Sequence, residues 1–161
     1  TVWNLKEGNR PDSLTADSVY RVVSRFAPVA DSEAVAYSFW KVISPLPKPE
    51  SEYESIHLDP VDIQSIWQSG DYLNMVLQVM VKDKEHELSF IDNGITSNAN
   101  GTQTLHLTLY HHRKDDVEGF MQKYYLSVPL WHYQGKLNKG DTIVFELYTY
   151  KEGMTQRTFT Y

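Results

Sequence analysis

The feature that most constrains this chain is an apolar period of two. From Tyr72 onward, Leu73, Met75, Leu77, Val79 and Val81 take one face, while Asn74, Gln78 and Lys82 share the other with Val76 and Met80. Successive side chains of a strand point to opposite faces, so this spacing predicts a half-buried strand. Leu88 and Phe90 resume the period after the polar break Asp83-Lys84, which predicts a hairpin. Asp92-Asn93-Gly94 carries turn chemistry, and Ser97 to Gly101 is a second flexible stretch. Leu105, Leu107 and Leu109 alternate with His106, Thr108 and Tyr110, ahead of a charged loop from Arg113 to Gly119. Leu126, Val128 and Leu130 form the next inward face, and Pro129 marks that end as an edge or a bulge. Asn138-Lys139-Gly140-Asp141 turns into Ile143, Phe145 and Leu147, and Glu152-Gly153 makes a last hairpin. About six short strands, each with one apolar face, describe an antiparallel β-sandwich. Trp67, two residues before a Ser-Gly turn, is expected to plug one end of its core, where truncation to Ala costs about 3–5 kcal/mol.

Pro45, Pro47 and Pro49 interrupt the chain before these strands. Prolines at alternate positions fix φ and remove donors, so the segment is expected to be an extended, semi-rigid spacer. It divides the chain into residues 1–48 and 52–161. The first piece is too short for a robust independent core. Within it Val19, Val22, Val23 and Phe26 have helix spacing, while Tyr20, Val22, Ser24 and Phe26 fit a strand. Val35, Tyr37, Phe39 and Lys41 read as a strand.

Composition removes several function classes. With 41% hydrophobic and 22% charged residues the chain is globular. A formal charge of −6 argues against tracking a nucleic-acid backbone. No apolar run reaches the ~18 residues of a membrane-spanning helix. There are no cysteines, hence no disulfide, thiolate metal site or Cys nucleophile.

The chemistry-bearing residues form no motif. His111 and His112 are adjacent on a strand and face opposite ways; His106 and His112 share a face but lie about 20 Å apart. His57, His86 and His132 lack ligand spacing, so no metal and no cofactor is expected, and the histidines read as solvent-facing. Asp115, Asp116 and Glu118 lack the alternate oxygens of a calcium loop and read as a solvated tip. No nucleophile elbow, phosphate loop or zinc-protease motif is present, so no catalytic residue is assigned and no enzyme is expected. The aromatic residues make up 13% of the chain, and Tyr124, Tyr125, Trp131, Tyr133, Tyr148 and Tyr150 cannot all point inward. Trp131, Tyr133, Tyr148 and Tyr150 are therefore the candidate ligand-binding aromatics, provided that they converge on the surface.

The stretch from Asp59 to Asn74, containing Ile66-Trp67-Gln68-Ser69-Gly70-Asp71-Tyr72-Leu73-Asn74, resembles the opening of the C-terminal domain of NigD-like proteins, secreted lipoproteins of Bacteroidetes. Leu105-His106-Leu107-Thr108-Leu109-Tyr110-His111, Tyr125-Leu126-Ser127-Val128-Pro129-Leu130, Tyr148-Thr149-Tyr150 and Phe159-Thr160-Tyr161 follow in the family's order. Asp17 to Val23 resembles a segment of its small N-terminal OB-like barrel. The resemblance implies a C-terminal sandwich behind a partial OB-like β-barrel. It also implies a cell-envelope location, periplasmic or at the outer-membrane surface, with a lipid anchor attached upstream of Thr1. It names no catalytic residue. The expected function is a non-catalytic envelope binding or assembly module, its partner an envelope protein or a glycan. The alternatives are a carbohydrate-binding module and a structural spacer. Triplets at Asp12, Asp17 and Asp141 also resemble the O-glycosylation signal of that phylum, with Asp141 the least accessible.

Overall fold

The computed structural model describes residues 4–5, 15 and 17–161. The chain is all-β and divides into two compact units, residues 1–42 and 43–161. In the first, β1 (Asn4–Leu5), β2 (Val22–Ala30) and β3 (Glu33–Lys41) form a sheet of order β1-β3-β2. Strands β2 and β3 are an antiparallel hairpin, and β1 runs parallel to β3. Ser32 turns the hairpin at φ 62. The β-branched reading of residues 19–26 is thus the one adopted from Val22 on. Among the described residues this unit is an open three-stranded sheet, not a closed barrel. Asp12 lies outside the described residues.

The second unit is a sandwich. One sheet holds β5 (Asp62–Ser69), β6 (Tyr72–Val81) and β9 (Phe120–Pro129) in the order β5-β6-β9. The other holds β4 (Lys48–Pro49), β7 (Glu87–Ser97), β8 (Gln103–His112), β10 (Thr142–Thr149) and β11 (Gly153–Thr160) in the order β11-β10-β8-β7-β4. Most pairings are antiparallel, but β8 with β10 and β4 with β7 are parallel. The core lies between the sheets, with Leu73, Leu77, Leu126 and Val128 facing Phe90, Leu107, Ile143 and Phe145. Phe90 and Phe145 meet edge to face, centroids 6.3 Å apart.

Three expectations change. Trp67 is 45% exposed and does not plug the core. Gln64 is an extra residue in β5, since Ile63 pairs with Leu77 and Ser65 with Val76. That bulge flips the phase: Ile63 and Ile66 pack on the core, and Trp67 faces out. Strands β6 and β7 are not a hairpin, because they belong to different sheets and residues 82–86 arch between them. Asp92-Asn93-Gly94 is a bulge inside β7, with Gly94 at φ 91, and the chain turns later, at Asn98 to Gly101.

The proline segment is extended but is not a free spacer. Ile43 bridges Leu126, Ser44 Oγ donates to the Ser127 carbonyl (2.7 Å), Pro47 is buried, and β4 pairs with Ile91 and Asp92. The segment therefore belongs to the second unit.

Candidate functional site

The outward face of the five-stranded sheet is not bare. Residues 50–58 cross it as a roof, begun by a short 3-10 turn at Glu50–Glu52. The roof is pinned at named points. Tyr53 Oη donates to the Phe90 carbonyl (3.0 Å) and lies 3.1 Å from Ser89 Oγ. The Tyr53 ring packs on Tyr110, centroids 4.6 Å apart. His57 stacks on His112 at 3.6 Å, nearly parallel, and Ser55 Oγ is 2.7 Å from His57 Nε2. These contacts leave Tyr110 only 5% exposed although it points away from the core. Burial raises the pKa of the Tyr53 and Tyr110 phenols above the usual value. The roof then leaves the face and crosses to the other sheet: His57 accepts from, and Asp59 donates to, the backbone of His111, and Val61 does the same with Tyr148 and Tyr150.

Two clefts open beside this roof. The smaller, about 440 Å³, is lined by Tyr53, Ser89, Tyr110 and His112 with Lys48, Lys114 and Glu87 at its margin. The larger, about 580 Å³, has a polar floor of Asn93, Thr96, His106, Thr108 and Glu146 and apolar walls from Ile56, Leu58, Ile91 and Met154. Its floor is ordered by its own hydrogen bonds. Asn93 Nδ2 donates to Thr108 Oγ1 (2.8 Å), Thr108 Oγ1 donates to Glu146 Oε2 (3.4 Å), and Thr96 Oγ1 lies 2.9 Å from His106 Nε2. Asn93 follows Ile91 on the outward phase of β7, and the bulge after it resets the phase so that Ile95 packs inward opposite Leu105.

The candidate aromatics do not converge. Tyr133 is 1% exposed, and its hydroxyl donates to Asp92 Oδ2 at 3.0 Å, so it is a core residue and not a ligand platform. Burial, reinforced by Asp92, holds its phenol far above the usual value. Trp131 is exposed just past Pro129, which pairs with Tyr72. Tyr150 is exposed at the opposite end of β6, its hydroxyl accepting from the Met80 N–H (3.0 Å). Tyr72 and Met80 stand roughly 26 Å apart along the strand. Tyr148 is exposed on the outward phase of β10 beside Met154.

Two readings of polar residues are corrected. His86, His111 and Asp116 are buried, not solvent-facing. The Asp116 carboxylate accepts the backbone N–H groups of Lys82 (2.7 Å) and Asp83 (3.1 Å), so the acidic loop is tied to the arch between the sheets. Burial pushes its pKa up, but the N–H groups of Lys82, Asp83 and Lys84 and the His86 ring outweigh this and hold it well below the usual carboxylate range. His86 Nε2 lies 3.3 Å from Asp116 Oδ2, His86 Nδ1 lies 2.9 Å from His111 Nε2, and His111 Nδ1 lies 2.9 Å from the Asp59 carbonyl. Between the two rings one nitrogen donates and the other accepts, so a proton on both His86 Nδ1 and His111 Nε2 would set two N–H groups head to head. Burial, then the neighbouring His86, lowers the His111 pKa from its usual value. The cluster is buried and ties the arch to the end of β8 and to the 113–116 turn. Among the described residues no group of three or more His, Asp or Glu is placed to hold a metal ion.

Comparison with known proteins assigns the fold. Residues 44–161 match the NigD-like C-terminal beta sandwich domain. The chain belongs to the NigD-like family. Its structure is similar to that of a NigD-like immunity protein from Bacteroides caccae, with 29% identity and a TM-score of 0.80, covering 99% of this chain and 84% of that one. A protein of unknown function from Bacteroides vulgatus shares the fold at 18% identity and TM-score 0.71, covering 99% and 78%. A protein described as toxin-related from Parabacteroides distasonis does so at 18% and 0.65, covering 88% and 72%. No curated protein matches the chain. Among the described residues of this NigD-like chain, no helix is long and apolar enough to cross a membrane.

Proposed function

We propose that this NigD-like protein is a non-catalytic binding module of the cell envelope, and that it recognises its partner through the roofed outer face of the five-stranded sheet. The observation that carries this reading is the pair of clefts beside the 50–58 roof, where polar groups are ordered on a rigid sheet floor between apolar walls. Burial of the His86–His111–Asp116 cluster, which has the residue types of a catalytic centre, supports a structural role for it. The similar immunity protein from Bacteroides caccae favours a polypeptide partner over a glycan. The Bacteroides relatives also favour an envelope location, which fractionation of native cells with a probe against the full-length protein tests.

The face itself is tested with paired variants of the full chain, screened against a peptide library and a glycan panel. Ser89→Arg crowds the smaller cleft and Thr96→Arg the larger, whereas Val117→Arg adds the same charge at an exposed position of the 113–119 loop. Any specific binding is lost in Ser89→Arg or in Thr96→Arg and kept in Val117→Arg. Binding that survives both cleft variants, or turnover of a screened compound, overturns the reading.

A further inference from the structure

We infer that the larger cleft seats a cationic side chain, lysine or arginine, of a partner polypeptide; this rests on the binding-module reading and names what the cleft selects. Glu146 stands at the centre of β10 on the outward phase and is half-buried. The hydrogen bond its carboxylate receives is a long one from Thr108, 3.4 Å at one oxygen. Glu50 adds a second carboxylate from the roof. Among the described residues no lysine or arginine lines the cleft, and neither glutamate is in an ion pair. A carboxylate drawn partly out of water gains from a cation more than from any neutral group.

The rest of the cleft fits the same occupant. The Asn93 amide and Thr108 hydroxyl are already turned onto Thr108 and Glu146, so the capacity left over is mainly for accepting hydrogen bonds. An ammonium or guanidinium group supplies only donors, whereas a saccharide hydroxyl also asks for donors in return. Ile56, Leu58, Ile91 and Met154 match the methylene stem that carries such a head group. About 580 Å³ holds a long side chain with the backbone on either side. The formal charge of −6 steers a basic partner toward the chain.

The test is an NMR amide-shift titration of the full chain with acetyl-tetra-arginine amide and with its neutral citrulline analogue. The arginine peptide is expected to shift the amides of Asn93, Thr108 and Glu146, and the citrulline peptide to leave them in place. Glu146→Gln weakens binding by roughly tenfold or more, the size of a lost charge-assisted hydrogen bond. Glu118→Gln makes the same charge change outside the cleft and stays within about twofold, as expected of an exposed charge. Glu50→Gln, at an exposed position, gives a smaller loss in the same direction and serves if Glu146→Gln perturbs the fold. Equal losses in Glu146→Gln and Glu118→Gln would show attraction by net charge alone and overturn the inference. So would equal binding of the citrulline peptide, or no binding of either. A neutral saccharide shifting those amides in place of the arginine peptide would overturn the cationic occupant while leaving the binding-module reading standing.

Discussion

Tyr133 decides between two uses of the aromatic residues, and its truncation tests which one holds. The ring is 1% exposed, packed with Leu130 and Leu137 in the core cluster, and its hydroxyl donates to Asp92 Oδ2 at 3.0 Å. Tyr133→Phe keeps the ring and removes the hydrogen bond to a half-exposed carboxylate, for an expected loss of about 1–2 kcal/mol. Tyr133→Ala also empties a site of aromatic size, and truncations of that kind cost about 3–5 kcal/mol. Trp131, two residues earlier, is 44% exposed, and Trp131→Ala is expected to cost under about 1 kcal/mol. Urea denaturation followed by far-UV circular dichroism gives each value by linear extrapolation. A Tyr133→Ala loss below about 1 kcal/mol, or a Trp131→Ala loss equal to it, would refute the burial argument.

Other consequences follow from the same geometry. Trp67→Ala is expected to cost about 1 kcal/mol, well short of a core truncation, because the bulge at Gln64 turns the ring outward; the same denaturation series measures it. Gly119→Ala is expected to destabilise by about 1–3 kcal/mol, since a Cβ there would stand 2.6 Å from the Val81 carbonyl oxygen and the backbone must shift; its thermal midpoint should fall accordingly. His111 has a folded pKa below 6.5, so its neutral form contributes stability that is complete above pH 6.5 and is lost as pH falls below that value; Asp116, lowered from 3.8, adds a second loss below pH 4. Thermal midpoints measured from pH 7.5 to 5 should therefore decline, and His111→Asn, which can still donate to the Asp59 carbonyl, should flatten the decline. An unchanged slope in that variant would remove His111 as its source.

The parts of the fold that the sequence made legible are those where one apolar face alternates without interruption. Strands β6, β8 and β10 satisfy that condition, as does the Leu126–Val128 end of β9, and Leu73, Leu107, Leu126, Val128 and Phe145 are buried as the period requires. Trp67 broke the rule because an extra residue with no glycine or proline to mark it reset the phase of β5. The supposed hairpin after Val81 failed for a different reason. Periodicity says which face of a strand is buried, not which sheet the strand joins, and here Asp116 holds the arch that carries the chain across. The site was less legible still. His86 meets His111 and Asp116 across 25 and 30 residues of sequence, a proximity created only by that crossing. The roof left one faint signal: Tyr53, Ser55 and His57 alternate, and two of these set an aromatic ring on the face below. Glu146 and Asn93 became cleft residues through the outward phase of β10 and β7, which does not mark a residue as functional.

Recognition on the roofed face of the five-stranded sheet is measurable by hydrogen exchange of the full chain with and without a ligand selected from the peptide and glycan screens. Added protection is expected in β7, β8 and the 50–58 roof, with Ser89, Thr108, Tyr110 and Glu146 at its centre. Protection confined instead to Trp131 and the β5–β6 turn, with the roofed face unchanged, would contradict recognition there.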